Sequence, residues 1–485
     1  MAAIPNSGNS GSNSFQKIVD AFLSQPGLPF ADVLSAERIE RIFAKHGNLF
    51  GNGAIYSTSV MVWAFLGQVL RDSKEASCQA AVAFVVSYCL LKDLAVPTSD
   101  TGDYCRARAK LSEAALRDLT REIAAEVEEQ ADPAWLWLGL HAKLVDGFTF
   151  TMPDTEQNQR QYPQSKSQKP GVGFPIARAV TILSLATAWV MDLAVGPRAP
   201  TAGWSREGDR RNGFVAAVVG LFRGGRRSRD GSLLLLLHDD CVVVESGRAS
   251  LCADAPGTAC RLPGTDRRLV GGRRLGKYDH IIVWTRPPQP TWMDQKTYDT
   301  IPETLEMREI RYNVIEDGFR TETITIATTL TDAEKYSKQD IAERYGFRWN
   351  SELDIRSIKD SLNLGHVRCK SPEMVRNELW TTLLGYNLIR TTAAAAALLH
   401  DKQPRQISFT STCQYILSSW MLLSCGAVST DRLEHHCLEL LSQIASCEVA
   451  NRPGRLEPRV LKRRRHGYKL MQEPRSVLRA QLRNE

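Results

Sequence analysis

The stretch YGFRWNSELDIRSIK (residues 345–359) decides how this chain is interpreted. The segment predicts a helix that starts near residues 337–340. Four of its polar residues are three, four and seven positions apart, and at about 3.6 residues per turn they lie on one helix face: Tyr345, Arg348, Glu352 and Lys359. These side chains are poor core residues. Taken alone, the stripe could be an exposed, salt-bridged helix face or a functional site.

Composition narrows the class of protein. With 485 residues, 43% apolar and 24% charged, the chain can bury a large core and form two or three structural units. The longest apolar runs, residues 80–91 and 393–399, are shorter than the roughly 18–20 residues of a bilayer span, so we expect no membrane segment. Residues 1–14 lack the features of a signal peptide, which predicts a cytoplasmic protein. The eleven cysteines include no Cys-x-x-Cys pair, so no zinc or redox site is indicated.

Periodicity predicts a mixed α/β fold with helical flanks. Apolar residues recur at helical spacing between residues 30 and 129, and the sheet is expected to begin at residue 143. Polar, Gly/Pro-containing residues 157–173 separate its first two strand-like runs. The expected strands cover residues 143–150, 178–192, 281–284, 307–313 and 322–329, and the later helices cover residues 332–400 and 412–447.

One segment has an anomalous composition. Residues 196–274 contain fourteen Arg and thirteen Gly but no Lys, Ile, Tyr, Met or Gln. A flexible basic loop of this length would be uncommon inside a compact domain. A slip of the reading frame explains the composition better. Residues 231–240 have the sequence GSLLLLLHDD. A DNA sequence that encodes them, with suitable codons, encodes Asp-Arg-Tyr-Tyr-Cys-Ser-Tyr-Met when it is read one nucleotide later.

The pattern Tyr-x2-Arg-x3-Glu-x6-Lys, formed by Tyr345, Arg348, Glu352 and Lys359, resembles the YREK signature of IS-four-type transposases. Around Asp146, the block VDGFTFTMPDTEQNQRQYPQSKSQKPGVGFPIAR (residues 145–178) resembles the first-aspartate block of that family. LGKYDHIIVWTRPPQPTWM (residues 275–293) resembles its β-rich insertion. Two independent blocks in the family's order are stronger evidence for the resemblance than either block alone.

The resemblance implies an RNase H-like catalytic core with a DDE carboxylate set. Asp146, at the end of the first strand, and Glu352 would hold two magnesium or manganese ions, as phosphodiester hydrolysis and strand transfer require. Tyr345, Arg348 and Lys359 would contact phosphates of DNA near the cleaved bond. A capping or turn aspartate is the structural alternative for Asp146.

Three other residues have simpler interpretations. We interpret Asp154 as a turn residue. Trp284 and Trp292 could stack on a flipped base, but packing in the core is the commoner role of such tryptophans. All three lie in the blocks that carry the resemblance.

The resemblance also implies a domain plan and partners. The partners would be double-stranded DNA, both terminal inverted repeats and target, and a second copy of the chain in a homodimer. A basic tail of eleven Lys/Arg against three Glu would be a solvated segment or a phosphate-contacting arm.

The expected regions are a flexible N-terminus (1–29), a helical DNA-binding region (30–135), the catalytic domain (136–400) with its anomalous segment (196–274) and β insertion (275–330), a C-terminal helical region (401–450) and the basic tail (451–485).

The second aspartate of the DDE set is missing from the chain as written. The family requires it in an Asp-Arg-Tyr-like block, which only the shifted frame supplies. Asp239 and Asp240 follow the leucine run, and we interpret them as accidental. Two alternatives stay open: a catalytically dead relative that occupies transposon ends, and another RNase H-fold nuclease that does not transpose.

Overall fold

The computed structural model describes residues 33–50, 54–197, 234–237, 249–254, 273–285, 295, 304–314, 322–328, 330–347, 349–424, 428–449 and 471–484. Contacts divide the chain into two compact units. The first contains residues 1–68, 73–139 and 384–449, and the second contains residues 69–72, 140–383 and 450–485. The N-terminal helices and the helices between residues 400 and 449 therefore belong to one unit.

Twelve α-helices lie in the described residues: α1 (Ala36–Lys45), α2 (Thr58–Val69), α3 (Cys78–Leu91), α4 (Thr101–Ala109), α5 (Glu113–Glu129), α6 (Glu156–Gln161), α7 (Lys338–Gly346), α8 (Trp349–Arg356), α9 (Pro372–Leu399), α10 (Phe409–Ser424), α11 (Thr430–Ser446) and α12 (Arg475–Asn484). The nine described strands are β1 (Lys143–Thr151), β2 (Ile176–Ser184), β3 (Val190–Pro197), β4 (Leu234–Leu237), β5 (Ala249–Asp254), β6 (Arg273–Gly276), β7 (Asp279–Thr285), β8 (Thr304–Val314) and β9 (Glu322–Thr328).

The first unit is helical, as its sequence predicts. Ser35, Ser77 and Ser112 cap α1, α3 and α5, each accepting a hydrogen bond from the backbone N–H three residues later. The buried face of α5 repeats at three- and four-residue spacing: Leu116, Leu119, Ile123 and Val127. At the core of this unit, the Trp420 ring meets the Trp63 ring edge-on with centroids 5.7 Å apart.

The second unit is built on one sheet with the strand order β3-β2-β1-β4-β5-β9-β8-β7-β6. β1, β2 and β3 are antiparallel neighbours, whereas β1 pairs in parallel with β4 and β4 in parallel with β5. β5 then pairs with β9, and antiparallel pairing continues to β6. The strands of the expected β insertion therefore extend the same sheet. The mixed α/β class is confirmed.

Two strand predictions need correction. Asp146 does not end the first strand: it is the fourth of nine residues in β1, paired with Thr181 of β2. Residues 178–192 form parts of two strands, because the chain reverses between β2 and β3 around Ala188, whose φ of 67° is left-handed. The apolar run hides this turn because Leu185, Ala188 and Trp189 are buried within it.

The structure divides the predicted helical regions into separate elements. The helices expected over residues 332–400 are α7, α8 and α9, with a π-helical turn at Ser357–Ser361. The polar segment between the first two strand-like runs includes one short helix, α6, behind an N-cap at Thr155. Part of the basic tail is helical as well, in α12.

Membrane spans and cysteine states can be reported for the described residues. No helix among them is long and apolar enough to cross a membrane. Seven cysteines among them are free thiols: Cys78, Cys89, Cys105, Cys369, Cys413, Cys437 and Cys447. Burial raises the pKa of the Cys437 thiol to about 11, so this thiol is protonated and poorly nucleophilic at neutral pH.

Candidate active site

Asp146 is held in a fixed orientation on β1. Its Oδ1 accepts a hydrogen bond from the Gly147 backbone N–H at 2.7 Å, and its Oδ2 accepts one from the Ser351 hydroxyl at 3.0 Å. The Thr181 hydroxyl donates to the Asp146 carbonyl oxygen at 3.2 Å. The carboxylate is half-buried, so solvent or a ligand can still reach it.

Ser351 brings helix α8 onto the strand that carries Asp146. It is fully buried and lies immediately before Glu352, which is half-buried. Because neighbouring residues on a helix project about 100° apart, the contact of Ser351 sets where Glu352 points. Asp146 and Glu352 therefore lie on two elements in direct contact, although 205 residues separate Ser351 from Asp146 in sequence.

Ser351 was missed by the sequence interpretation. Its one available signal was size, since a small hydroxyl residue beside a candidate ligand allows a helix to approach a strand closely. Nothing in the local pattern indicates that its partner is an aspartate in β1.

The four YREK residues do not share one helix, and that prediction is wrong. The helix begins where expected, at a capping box formed by Ser337 and Asp340, but α7 ends at Gly346 with Phe347 as its C-cap. A new helix, α8, begins at Trp349. Glycine weakens the helix at this point because it has the greatest backbone freedom to lose.

The flanking residues of the signature lie on separate elements. Tyr345 is half-buried in the last turn of α7, and Lys359 is half-buried in the π-helical turn that follows α8. A π turn has more residues than an α turn, so Lys359 is not where 3.6-residue spacing would place it. Arg348 lies outside the described residues, as do Trp292, Asp239 and Asp240.

A buried ion pair anchors the start of α7 to the sheet. Arg308 of β8 donates through Nε and Nη2 to both carboxylate oxygens of Asp279 in β7, at 2.8 and 2.6 Å. Its Nη1 donates to the carbonyl oxygen of Tyr336 at 2.6 Å, one residue before the N-cap of α7. The two side chains are 1% and 8% exposed. This pair therefore joins the later strands of the sheet to the segment that carries Tyr345.

Breaking this pair has a predictable effect on stability. Arg308→Met leaves the Asp279 carboxylate buried without its bidentate partner and is expected to destabilise the protein by about 3–5 kcal/mol. Urea unfolding followed by circular dichroism measures this change. The double variant Arg308→Met/Asp279→Leu should recover most of the loss, and Arg311→Met, on an exposed position of the same strand, should change stability by about 0.5 kcal/mol or less. A single variant as stable as the wild type would show that the pair is not structural.

The chain after the π-helical turn is held by another carboxylate. Glu378 of α9 accepts hydrogen bonds from the backbone N–H groups of Arg368 and Cys369 at 2.9–3.0 Å. Nearby, the Thr151 hydroxyl at the end of β1 lies 2.7 Å from His366 Nδ1. The segment that follows Lys359 is thereby fixed to the same strand that carries Asp146.

The candidate carboxylates can be tested against the needs of a metal ion. Asp146 and Glu352 supply oxygen ligands, which Mg²⁺ prefers, and Mg²⁺ needs only one or two carboxylates besides water and phosphate. Over the described part of the chain, no group of three or more His, Cys, Asp or Glu could hold a metal ion. Two carboxylates match the number that one Mg²⁺ ion takes from protein, while a two-ion site needs a further carboxylate. Asp154 is engaged elsewhere, accepting from Gln159 Nε2 at 2.8 Å.

Comparison with known proteins supports one family of enzymes. A family model described as "Transposase DDE domain" matches residues 261–388, which include all four YREK residues. "Transposase InsG for insertion sequence element IS4" of Escherichia coli (strain K12) is 25% identical over 462 residues, covering 92% of this chain and 94% of that protein. Both matches support an IS-four-type DDE transposase. Transposases with this domain generally use divalent metal ions.

One solved transposase structure is only weakly similar to this chain. It is a cryo-EM structure of the piggyBac transposase synaptic complex with hairpin DNA. The match covers 92% of this chain and 87% of that chain. The two are 9% identical with a TM-score of 0.34. The family match begins at residue 261, so residues 196–260 of the anomalous segment lie outside it.

Proposed function

We propose that this transposase cuts DNA at the terminal inverted repeats of its insertion sequence and joins the freed 3′-hydroxyl to target DNA, in a cut-and-paste reaction. The observation that carries the proposal is the hydrogen bond from Ser351 to Asp146. It holds α8, which carries Glu352, against β1, which carries Asp146. Three antiparallel strands followed by two parallel ones, in the order β3-β2-β1-β4-β5, support an RNase H-like core around them.

Asp146 and Glu352 are the residues that would hold the divalent cation, magnesium or manganese. When bound, such a cation activates water and stabilises charge at the phosphate. The two ions typical of this chemistry would need a third carboxylate. Asp146 is prepared for its role because Gly147 and Ser351 each hold one of its oxygens and prevent the carboxylate from rotating.

The other signature residues are proposed to bind the DNA backbone. Tyr345 and Lys359 flank α8, and with Arg348 they would contact phosphates beside the cleaved bond, the guanidinium through a fork and the ammonium as a point charge. The helical unit would bind the transposon ends, and two copies of the chain would act on paired ends, each cutting in trans. The site of action is the bacterial nucleoid in the cytoplasm.

A second function is favoured by one specific observation. The described residues supply two candidate metal-binding carboxylates rather than three, and the sequence has no Asp-Arg-Tyr block as written. A chain without the second aspartate would bind transposon ends without cutting them and would block assembly of an active complex. Both functions predict DNA binding, and only the first predicts cleavage.

The experiment uses the purified full chain and duplexes that carry either terminal repeat of the element, with Mg²⁺ or Mn²⁺. Binding followed by release of a 3′-hydroxyl at the repeat boundary supports the transposase. Binding without cleavage supports the catalytically dead relative. Cleavage that does not depend on the repeats would instead identify a general nuclease, and no binding to either repeat would contradict both proposals.

The hydroxyl of Ser351 offers a sharper test of the site. Ser351→Ala removes the bond that orients Asp146 and is expected to weaken Mn²⁺ binding about 10- to 100-fold, as loss of other ligand-orienting residues does. Electron paramagnetic resonance of free Mn²⁺ measures this without requiring catalysis. Ser357→Ala is the matched control, since that hydroxyl donates only to the Leu353 carbonyl on the same helical segment. Equal Mn²⁺ affinity in both variants and the wild type would show that Ser351 does not position a ligand.

A further inference from the structure

The loop between α6 and β2 is held in one conformation by two glutamines; we call residues 163–174 the glutamine-braced loop. Gln164 Oε1 accepts from the backbone N–H groups of Gly171 and Gly173 at 2.9 and 3.2 Å. Its Nε2 donates across the loop to the carbonyl oxygens of Gln168 and Lys169 at 3.3 and 2.7 Å. One half-buried amide therefore ties both sides of the loop together.

A second glutamine fixes the base of the loop. Gln159 of α6 accepts from the Gln164 backbone N–H at 3.0 Å and donates to the Gly173 carbonyl oxygen at 3.0 Å. Gly171 adopts a φ of +76°, which an L side chain rarely tolerates. The loop is thus ordered before any ligand binds, so binding through it would cost little conformational entropy.

The braced loop presents cations and an aromatic ring to solvent. Lys166 and Lys169 are exposed, and Phe174 is 62% exposed although its neighbours Gly173 and Pro175 are buried. From residue 154 to residue 178 the sequence has four Lys or Arg against two Asp or Glu, a net charge of +2. An ordered cationic loop with an exposed aromatic suits a partner that combines phosphates with flat bases.

The basic C-terminal segment extends this surface. Lys169 Nζ lies 2.9 Å from Glu473 Oε1, with the two side chains 65% and 44% exposed, and Gly171 packs beside Pro474. α12 follows directly and exposes Arg475 and Arg479. An ion pair this exposed is worth little, so Lys169 can exchange Glu473 for a phosphate at small cost.

Strand geometry gives the distance from Asp146 to the end of β1 that precedes this surface in the chain. The chain between β1 and β2 leaves at Thr151, five residues after Asp146 on the same strand. At about 3.3 Å per residue this end is roughly 17 Å from Asp146. Stacked base pairs rise about 3.4 Å each, so the same distance along a duplex is about five base pairs.

We propose that the glutamine-braced loop, with α12, grips the phosphate backbone of the transposon-end duplex about five base pairs from the cleaved bond. The proposal rests on the proposed function for the position of the DNA. Lys166 and Lys169 contact phosphates, and Phe174 covers a base or sugar. Glu473 opposes binding by competing for Lys169.

The first test measures binding of a fluorescently labelled generic duplex across a range of salt concentrations. Lys166→Gln and Lys169→Gln are each expected to lower affinity roughly fivefold at 0.15 M salt and to reduce the salt slope by about 0.9 per lysine. Phe174→Ala should lower affinity without changing the slope. Glu473→Gln should raise affinity severalfold, which simple loss of folding cannot imitate. Arg432→Gln, which removes one exposed cation from the other compact unit, is the matched control for surface charge.

The second test locates the contact. Hydroxyl-radical footprinting on a terminal-repeat duplex should show protection about five base pairs from the cleaved bond that the double lysine variant loses. A wild-type chain that binds DNA, with an unchanged salt slope and footprint in the double variant, would overturn this inference and leave the proposed function standing. A wild-type chain that binds no duplex would overturn both.

Discussion

A gene with its reading frame restored across residues 196–274 is expected to encode a transposase that cleaves transposon ends at least roughly 10³-fold faster than the chain as written. The restored frame would return an Asp-Arg-Tyr block to a strand beside Asp146. β4 pairs in parallel with residues 143–145 of β1, so this segment of the chain lies beside the strand that carries Asp146. Resequencing the gene, translating all three frames and comparing cleavage by the two purified proteins measures the effect.

Resequencing can also contradict the frameshift hypothesis. If the frame as written is correct and no other frame reads through, the frameshift hypothesis fails. Asp239 and Asp240, which follow β4 by two and three residues in sequence, are then the next candidates for the second aspartate. Asp239→Asn and Asp240→Asn would each be compared with the wild type for cleavage.

In a cleavage-competent protein, Asp146→Asn and Glu352→Gln are each expected to reduce the cleavage rate by roughly 10³-fold or more, because each removes a charged metal ligand while preserving size. Affinity for the terminal repeats should stay within about twofold of the wild type, since neither carboxylate attracts the phosphate backbone directly. Single-turnover cleavage and gel-shift assays separate the two effects.

The matched control for these carboxylates is Asp360→Asn. Asp360 lies in the π-helical turn after α8, its side chain is 72% exposed, and its partner is the equally exposed Arg356 at 3.8 Å. Cleavage by this variant should equal that of the wild type. If Glu352→Gln cleaved as fast as Asp360→Asn, Glu352 could not be a metal ligand, and the YREK interpretation would fail.

Long apolar and amphipathic segments were predictable from sequence because local periodicity reports them directly. α5 follows the expected pattern closely, and β1 covers residues 143–151 against an expected 143–150. The capping signal at Ser337 and Asp340 likewise located the start of α7. In each case the residues that decide the element lie within a few positions of one another.

Candidate residues for the site could be selected from the sequence, but their geometry could not be predicted. The family resemblance selected Asp146 and Glu352, whereas the break at Gly346 and the π turn that carries Lys359 depend on how α7 and α8 pack. Ser351 could not be found locally, because its partner is 205 residues away. That the N-terminal helices and residues 384–449 belong to one unit is likewise a tertiary property that periodicity does not encode.

Direct measurement of Mn²⁺ binding tests the central claim, that Asp146 and Glu352 together hold a divalent cation, even if the chain does not cleave DNA. Electron paramagnetic resonance would be recorded on the chain as written and on the Asp146→Asn, Glu352→Gln and Asp360→Asn variants. The account predicts Mn²⁺ binding that each of the first two substitutions weakens at least about tenfold and the third leaves unchanged. Binding that is the same in all four proteins would contradict it.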